Sequence, residues 1–356
     1  MNDPACAGQA AGLAKKYLRF CIVKNENKKY ICINANSKQE RPMQLHGIHH
    51  LTAISADARR NHDFYNRLLG MRLVKKTVNQ DDTSAYHLFY ADGEGSPGTD
   101  LTFFEFPVGR EKRGTHAITR TALRVNGAKA LDHWVARLTE ARVAMSPIAE
   151  IDGRLTLDFE DHEGQRLSLV DDGGAGDAHP WAKADIPAAF QIRGLGPIRM
   201  SVPDLKPTKL FVEGLYGMNE VRDFANPEDA SSRIHVFAMG EGGPAAELHV
   251  AVEPKLGAAR QGAGAVHHVA FRAKDEDYQY WIDRYNRFGL RSSGPVDRFW
   301  FRSLYIREPN GILFEIATDG PGFDADEPKE TMGETLSLPP FLESRRKEIE
   351  AGLNPI

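Results

Sequence analysis

Gly264-Ala-Val-His-His-Val-Ala-Phe271 is an apolar run with two adjacent histidines, and Pro309-Asn-Gly-Ile-Leu-Phe-Glu-Ile316 is a turn feeding a run with one carboxylate. Both read as strands, with Pro-Asn-Gly supplying the turn at the entry to the second. Glu315 is the anomaly: an ionisable group in an apolar strand has to be satisfied or used. The first stretch is echoed far upstream, at Leu45-His-Gly-Ile-His-His-Leu-Thr-Ala-Ile54. Aligning the two stretches puts His50 and His268 at equivalent strand positions. Alternation then sets Val266, His268 and Ala270 on one face and His267 and Val269 on the other, and the same parity separates His50 from His49. Glu315 shares its face with Leu313 and Ala317. Two imidazoles and one carboxylate, one from each of three strands, can thus point at a common centre. That is the donor set of a facial-triad metal site with open positions.

Around each echo the order of elements repeats. From Leu45 the chain reads as a strand over 48–55, a helix over 57–69 with Asp57 as its cap and Gly70 as its stop, then strands over 72–79, 85–90 and 101–106. From Val266 it reads as a strand over 266–272, a helix over 274–288 before Gly289, then strands near 295–297, 301–307 and 311–317. Two looser units of the same kind lie between, over about 115–170 and 195–252. The expected fold is α+β, with four βαβββ modules arranged as two paired-module domains. Boundaries follow from composition: an extension over 1–42, disordered or an artefact of a start upstream of Met43; an N-terminal domain over 43–170; a Gly- and Asp-rich linker over 171–192; a C-terminal domain over 193–323; and a tail over 324–356 with a charged helix as a surface cap.

Composition narrows the chemistry. A net charge of −4 with both signs spread along the chain offers no footprint for nucleic acid. No apolar run approaches the length of a membrane span, and the N-terminus lacks the apolar region of a signal peptide, so a cytoplasmic protein is expected. All three cysteines precede residue 33, which leaves the body without a disulfide framework, a thiolate metal site or a cysteine nucleophile. Thirteen histidines remain as the candidates for transition-metal chemistry. His62 and His133 sit on helical patterns and read as packing or surface residues, and Gly194-Leu-Gly-Pro has the wrong spacing for a dinucleotide loop.

Longer motifs carry a family resemblance. They are Gly-Ile-His-His-Leu-Thr, Asn61-His-Asp-Phe-Tyr-Asn-Arg-Leu-Leu-Gly-Met71, Lys75-Lys-Thr-Val-Asn-Gln-Asp81, Tyr86-His-Leu-Phe-Tyr-Ala-Asp92, Pro97-Gly-Thr-Asp-Leu-Thr-Phe-Phe104 and Asp297-Arg-Phe-Trp-Phe-Arg-Ser-Leu-Tyr-Ile-Arg307, followed by the Pro-Asn-Gly…Glu ending. Over about residues 45–323 the chain resembles the vicinal oxygen chelate superfamily, and within it the Fe(II)-dependent hydroquinone ring-cleaving 1,2-dioxygenases. The resemblance implies iron(II), with manganese(II) as the alternative, held by His50, His268 and Glu315 across the two halves of the chain, and O₂ as co-substrate. It implies catalytic roles for His267, Arg298 and Tyr305, and a small aromatic diol as substrate. A homodimer or higher homo-oligomer is compatible with it.

The chemistry places demands on those residues. The hydroxyls of a hydroquinone are para, so only one oxygen can reach a single metal and the protein must hold the far end of the ring. Arg298 offers a fixed fork of donors, Tyr305 a hydroxyl, and His267 a proton acceptor if its pKa lies near neutrality. Alternation sends His267 away from His268, so it reaches the site only through a bulge or a twist. Phe299, Trp300 and Phe301 offer walls for a ring, though alternation keeps all three from facing it. Competing functions are a glyoxalase-type isomerase or thiol transferase, which adds a second glutamate to the ligand set, and a catechol extradiol dioxygenase, whose third-module histidine is missing at Ile198-Arg-Met. The non-enzymatic rival is a ligand-sequestering protein on the same fold, which needs no triad.

Overall fold

Residue Ile48 opens the first His-His strand, β1 (Ile48–Ser55), and all eight of its residues are buried. In this computed structural model, which describes residues 43–356, β1 is followed by α1 (Ala58–His62) and then by β2 (Arg72–Val78), β3 (Tyr86–Ala91) and β4 (Asp100–Glu105). The reading of residues 1–42 as an extension lies outside the described residues. The second module is β5 (Ala117–Val125), α2 (Gly127–Glu140), β6 (Ala149–Ile151), β7 (Arg154–Glu160) and β8 (Arg166–Asp171). The third is β9 (Leu195–Val202), α3 (Leu205–Tyr216), β10 (Asn219–Asn226), β11 (Asp229–Ala238) and β12 (Glu247–Val252). The fourth is β13 (Val266–Ala273), α4 (Tyr278–Arg287), β14 (Pro295–Asp297), β15 (Arg302–Arg307) and β16 (Leu313–Thr318).

The expected α+β architecture of repeated βαβββ modules is what the chain adopts, and the modules join in two eight-stranded sheets. One has the order β14-β15-β16-β13-β1-β4-β3-β2, the other β10-β11-β12-β9-β5-β8-β7-β6. Each sheet takes one module from either side of the 171–192 linker: the first module pairs with the fourth, and the second with the third. Residues 43–356 form one unit by their contacts. The seam of the first sheet is the antiparallel pair β1–β13, flanked by the parallel pairs β1–β4 and β13–β16. These three pairings put the two His-His strands side by side with the Glu315 strand next to them.

Side-chain alternation then divides the first sheet. Leu51, Ala53, Leu101, Phe103, Val269 and Phe271 point to one side and join a continuous core with Trp134, Phe211 and Trp281 of the helices and with Ile198 and Leu248 of the second sheet. The opposite, concave side carries Phe89, Ala270, Trp300 and Phe301. No helix among the described residues is long and apolar enough to cross a membrane.

Two local outcomes differ from simple expectation. The first helix is α-helical only to His62; over Asp63–Leu68 it widens to a π-helix, with the Leu69 N–H donating to the Phe64 carbonyl. The wider turn seats the buried Tyr65, whose hydroxyl donates to Asp161 at 3.0 Å and lies 3.2 Å from Gln165. The C-terminal segment does more than cap a surface. Leu338, Leu342 and Ile349 pack on Val78. Met332 and Phe323 close the concave side, and Asp326 and Glu327 neutralise the fully buried Lys75.

Candidate metal centre

His50, His268 and Glu315 meet on the concave side, where Nε2 of His50 lies 3.2 Å from Glu315 Oε2, Nε2 of His268 lies 2.9 Å from it, and the two Nε2 atoms are 3.4 Å apart. All three residues are at most 3% exposed. Neither oxygen of Glu315 has an aligned hydrogen-bond donor, although both are buried. Three donor atoms have converged without satisfying one another. Donors about 2.1 Å from a metal and at right angles sit about 3.0 Å apart, so this triangle has the size of one face of an octahedral site. Burial opposes ionisation of Glu315, but the two imidazoles outweigh it and hold the carboxyl well below the usual carboxylate range. An anionic carboxylate beside two buried imidazoles fits a divalent cation.

The back of each imidazole is also fixed. His49 Nδ1 lies 2.9 Å from His50 Nδ1, and His267 Nδ1 lies 2.8 Å from His268 Nδ1. Strict alternation would forbid both contacts. The β1–β13 register slips at those two residues: Ile48 faces Phe271 and His50 faces Ala270, while Thr52 faces His268 and Ala53 faces Val266. A bulged residue turns its side chain off the regular face. Burial, with the neighbouring imidazole second, pushes both His49 and His267 down to about 3. Each is therefore a neutral acceptor for the Nδ1–H of the histidine that follows it, a contact that fixes tautomer and ring orientation at metal sites. His267 thus meets the back of His268, and the condition set for a base, a pKa near neutrality, is absent in this environment.

The same register explains why the site stays open. β1 and β13 are related by a local two-fold that exchanges His50 with His268 and Thr52 with Ala270. Ala270 lies beside Glu315, and Thr52 beside Thr102. Thr102 therefore occupies the place of a second glutamate. Its hydroxyl lies 2.8 Å from that of Thr52 and 3.0 Å from Nε2 of His87, and Thr52 in turn lies 3.0 Å from His268 Nε2.

The cleft beside the triad is lined by His87, Phe89, Phe104, Arg298, Trp300, Phe301 and Tyr305, with Asn79 and Gln80 at its polar end. Its cavity volume is about 30 Å³. Phe301 packs on His50, with ring centroids 5.2 Å apart, and the Tyr305 ring meets His268 edge-on at 5.7 Å. Arg298 is tied to Asp81 at 2.9 Å, not to its neighbour Asp297, and its Nε lies 3.4 Å from the Tyr305 hydroxyl. Burial and the nearby Glu315 push the Tyr305 phenol up, so it stays a donor. Burial, then His50 and His268, holds His87 well below its ordinary value. Trp300 and Phe301 line the cleft while Phe299 packs beside it with a left-handed backbone.

Elsewhere among the described residues, carboxylate–histidine clusters have cations of their own. Arg154 donates to both oxygens of Glu247 at 2.7 and 2.9 Å, and Arg222 bridges Asp152 and Glu247 beside His249. Glu220 and Asp223, near His235, are paired with Lys209 and Arg233. Of the three clusters among the described residues that could hold a metal ion, only that of His50, His268 and Glu315 has no Lys or Arg paired to its carboxylate. Sequence reasoning missed His49, which the doubled His-His echo could have supplied, and His87 and Thr102, which carry no pattern in the chain.

Comparison with known proteins shows which family the chain resembles. A family model described as the Glyoxalase/Bleomycin resistance protein/Dioxygenase superfamily matches residues 47–169 and 194–316. A Bacillus subtilis (strain 168) protein named "Putative ring-cleaving dioxygenase MhqA" is 47% identical over 317 residues, covering 88% of this chain and all of that protein. A Sphingobium indicum protein named chlorohydroquinone/hydroquinone 1,2-dioxygenase is 28% identical over 327 residues, covering 88% of this chain and 97% of its own. The crystal structure of a "putative dioxygenase" from B. subtilis superposes with a TM-score of 0.80 at 35% identity, over 88% of this chain and 98% of that one.

Proposed function

The chain belongs to the Glyoxalase/Bleomycin resistance protein/Dioxygenase superfamily, in its ring-cleaving dioxygenase branch, and we propose that it is a metal-dependent enzyme that inserts O₂ into a hydroquinone-type ring. The observation that carries this reading is the open triad: three converging donors, with Thr102 where a fourth ligand would close the site. A glyoxalase-type isomerase needs that fourth carboxylate, and a sequestering protein has no use for three mutually unsatisfied buried donors. The name of the S. indicum relative supports a hydroquinone rather than a catechol as the ring.

His50, His268 and Glu315 would hold iron(II), with manganese(II) as the alternative, and the ion would supply electronic contact between a ring oxygen and O₂. His49 and His267 keep both imidazoles turned toward the ion. Arg298 and Tyr305, charged fork and neutral phenol, hold an oxygen of the substrate at one end of the cleft. His87, anchored on Thr102, is left for the other hydroxyl. Phe89, Phe104, Trp300 and Phe301 exclude water from the ring between them.

The test is oxygen uptake by anaerobically prepared protein loaded with iron(II), given hydroquinone or catechol. Uptake with hydroquinone that disappears in His268→Ala and Glu315→Ala is the expected result. Tight zinc or nickel binding without oxygen uptake would sink the dioxygenase reading in favour of the isomerase.

A further inference from the structure

The second sheet carries a cleft of its own on a different chemistry. Its central pair β5–β9 slips register between Ile118 and Arg120, as β1–β13 does between Ile48 and His50, and sets Arg120 opposite Arg199 where the first sheet sets His50 opposite Ala270. Arg166, at the start of β8, joins them. Arg120 lines a neighbouring cavity of about 70 Å³ with Arg199 and Glu228, and Arg166 and Arg199 line one of about 440 Å³. Into it projects Glu228, from the two-residue turn between β10 and β11. Arg120 Nη2 donates to Glu228 Oε1 at 2.9 Å and Arg199 donates to the same oxygen, while Arg166 Nη1 stands 3.6 Å from Oε2.

This is more cation than one hairpin ion pair needs. The side chains of Arg120, Arg166 and Arg199 are 15%, 16% and 12% exposed, whereas Glu228 is 43% exposed. Arg166 donates no side-chain hydrogen bond among the described residues, and the Nε of Arg120 is buried without a partner. The other carboxylates nearby are engaged: Asp158 lies 3.2 Å from Arg120, Glu160 and Glu111 hold Arg113 at 2.9 and 3.4 Å, and Asp229 and Glu253, which line the larger cavity, accept from Ser231 and Asn226. Burial lowers Arg166; Glu228 opposes that shift and the neighbouring Arg113, Arg199 and Arg120 add to it. Guanidinium forks match the two oxygens of a carboxylate.

We propose that this cleft binds a small carboxylate, and that Glu228 occupies it as an internal stand-in which the ligand displaces. Glu228 already meets solvent and the turn that carries it lies at the end of a hairpin, so its departure leaves the sheet intact; the ligand has to replace its bonds to Arg199 and Arg120, which outweigh burial and hold its carboxyl down at about 2. The site shares no residue with the metal centre, so its test stands apart from the dioxygenase reading.

The test is calorimetric titration of the full chain with maleate, with inorganic phosphate as comparator, on wild type, Glu228→Gln and Glu228→Ala. Removing the internal carboxylate should tighten maleate at least tenfold (about 1.4 kcal/mol), and adding Arg199→Met to Glu228→Gln should abolish the gain. Circular dichroism identifies any variant that fails to fold, and two substitutions at Glu228 guard against that loss. Unchanged maleate affinity in both folded Glu228 variants overturns the proposal, leaving a structural ion cluster. Phosphate binding as tightly as maleate overturns the carboxylate assignment.

Discussion

Glu315 shows how one residue couples stability to chemistry. It is fully buried, and two imidazoles are what keep it ionised. Replacing His50 or His268 by Ala, or Glu315 by Gln, should cut bound iron from about one equivalent to under a tenth, measured by elemental analysis of anaerobically prepared protein. In wild type alone, iron should also raise the melting temperature, because it binds the folded state and not the unfolded one. Thr102→Glu places a carboxylate at the position related to Glu315 by the local two-fold. It should retain metal yet lower oxygen uptake at least a hundredfold (about 2.7 kcal/mol), since a fourth ligand fills an open position; retained uptake with retained metal would discard the open-site argument. Protons should report on the same residues. His49, His87 and His267 have folded pKa values far below the unfolded value of about 6.5. The unfolded chain therefore binds more protons as pH falls below 6.5, and stability declines with acidity from that point. His87→Gln should flatten the dependence by up to about 1.4 kcal/mol per pH unit in urea melts between pH 6.5 and 5. The triad was readable in the sequence because repetition singled out two histidines and apolar surroundings singled out the glutamate. His87 and Thr102 were not, because a lone polar residue in a strand acquires its meaning only from the strand that lies opposite.

At the level of elements, the strands of the first and fourth modules were legible to within a residue or two, while those of the two looser modules and the departures from regular pairing were not. Alternation turns His267 away from His268, and so it would in a regular ladder. The two register slips in β1–β13 are set by pairing between segments more than 200 residues apart, which no local pattern encodes. The π-helical turn after His62 is a similar case: the amphipathic pattern of an ordinary helix is present, and the extra residue is explained by where Tyr65 must reach. Tyr65→Phe should leave Asp161 Oδ2 buried without its donor and cost about 1–3 kcal/mol in urea unfolding, with the oxygen-uptake rate per iron unchanged.

For the molecule as a whole, composition and repeat count pointed to four modules, but their chain order suggested neighbours that the sheets do not respect. Chain order favours pairing of adjacent modules, whereas the seam that forms the site joins first to last. A split within the linker between 171 and 192 therefore separates His50 from His268 and Glu315, and leaves both sheets half built. Each half expressed alone should bind no iron; co-expressed halves should recover it in a complex that copurifies. A half that binds an equivalent of iron by itself would contradict the shared seam.

That seam also dates the birth of the site during synthesis. A nascent chain carries His50 early, but gains His268 only when β13 has been made and Glu315 only when β16 has, close to the C-terminus. A product that ends before β13 carries one of the three donors, and one that ends between β13 and β16 carries two. On the proposed function, competence toward oxygen would thus arrive only with the last module, and copies that end before Glu315 would be inert toward O₂.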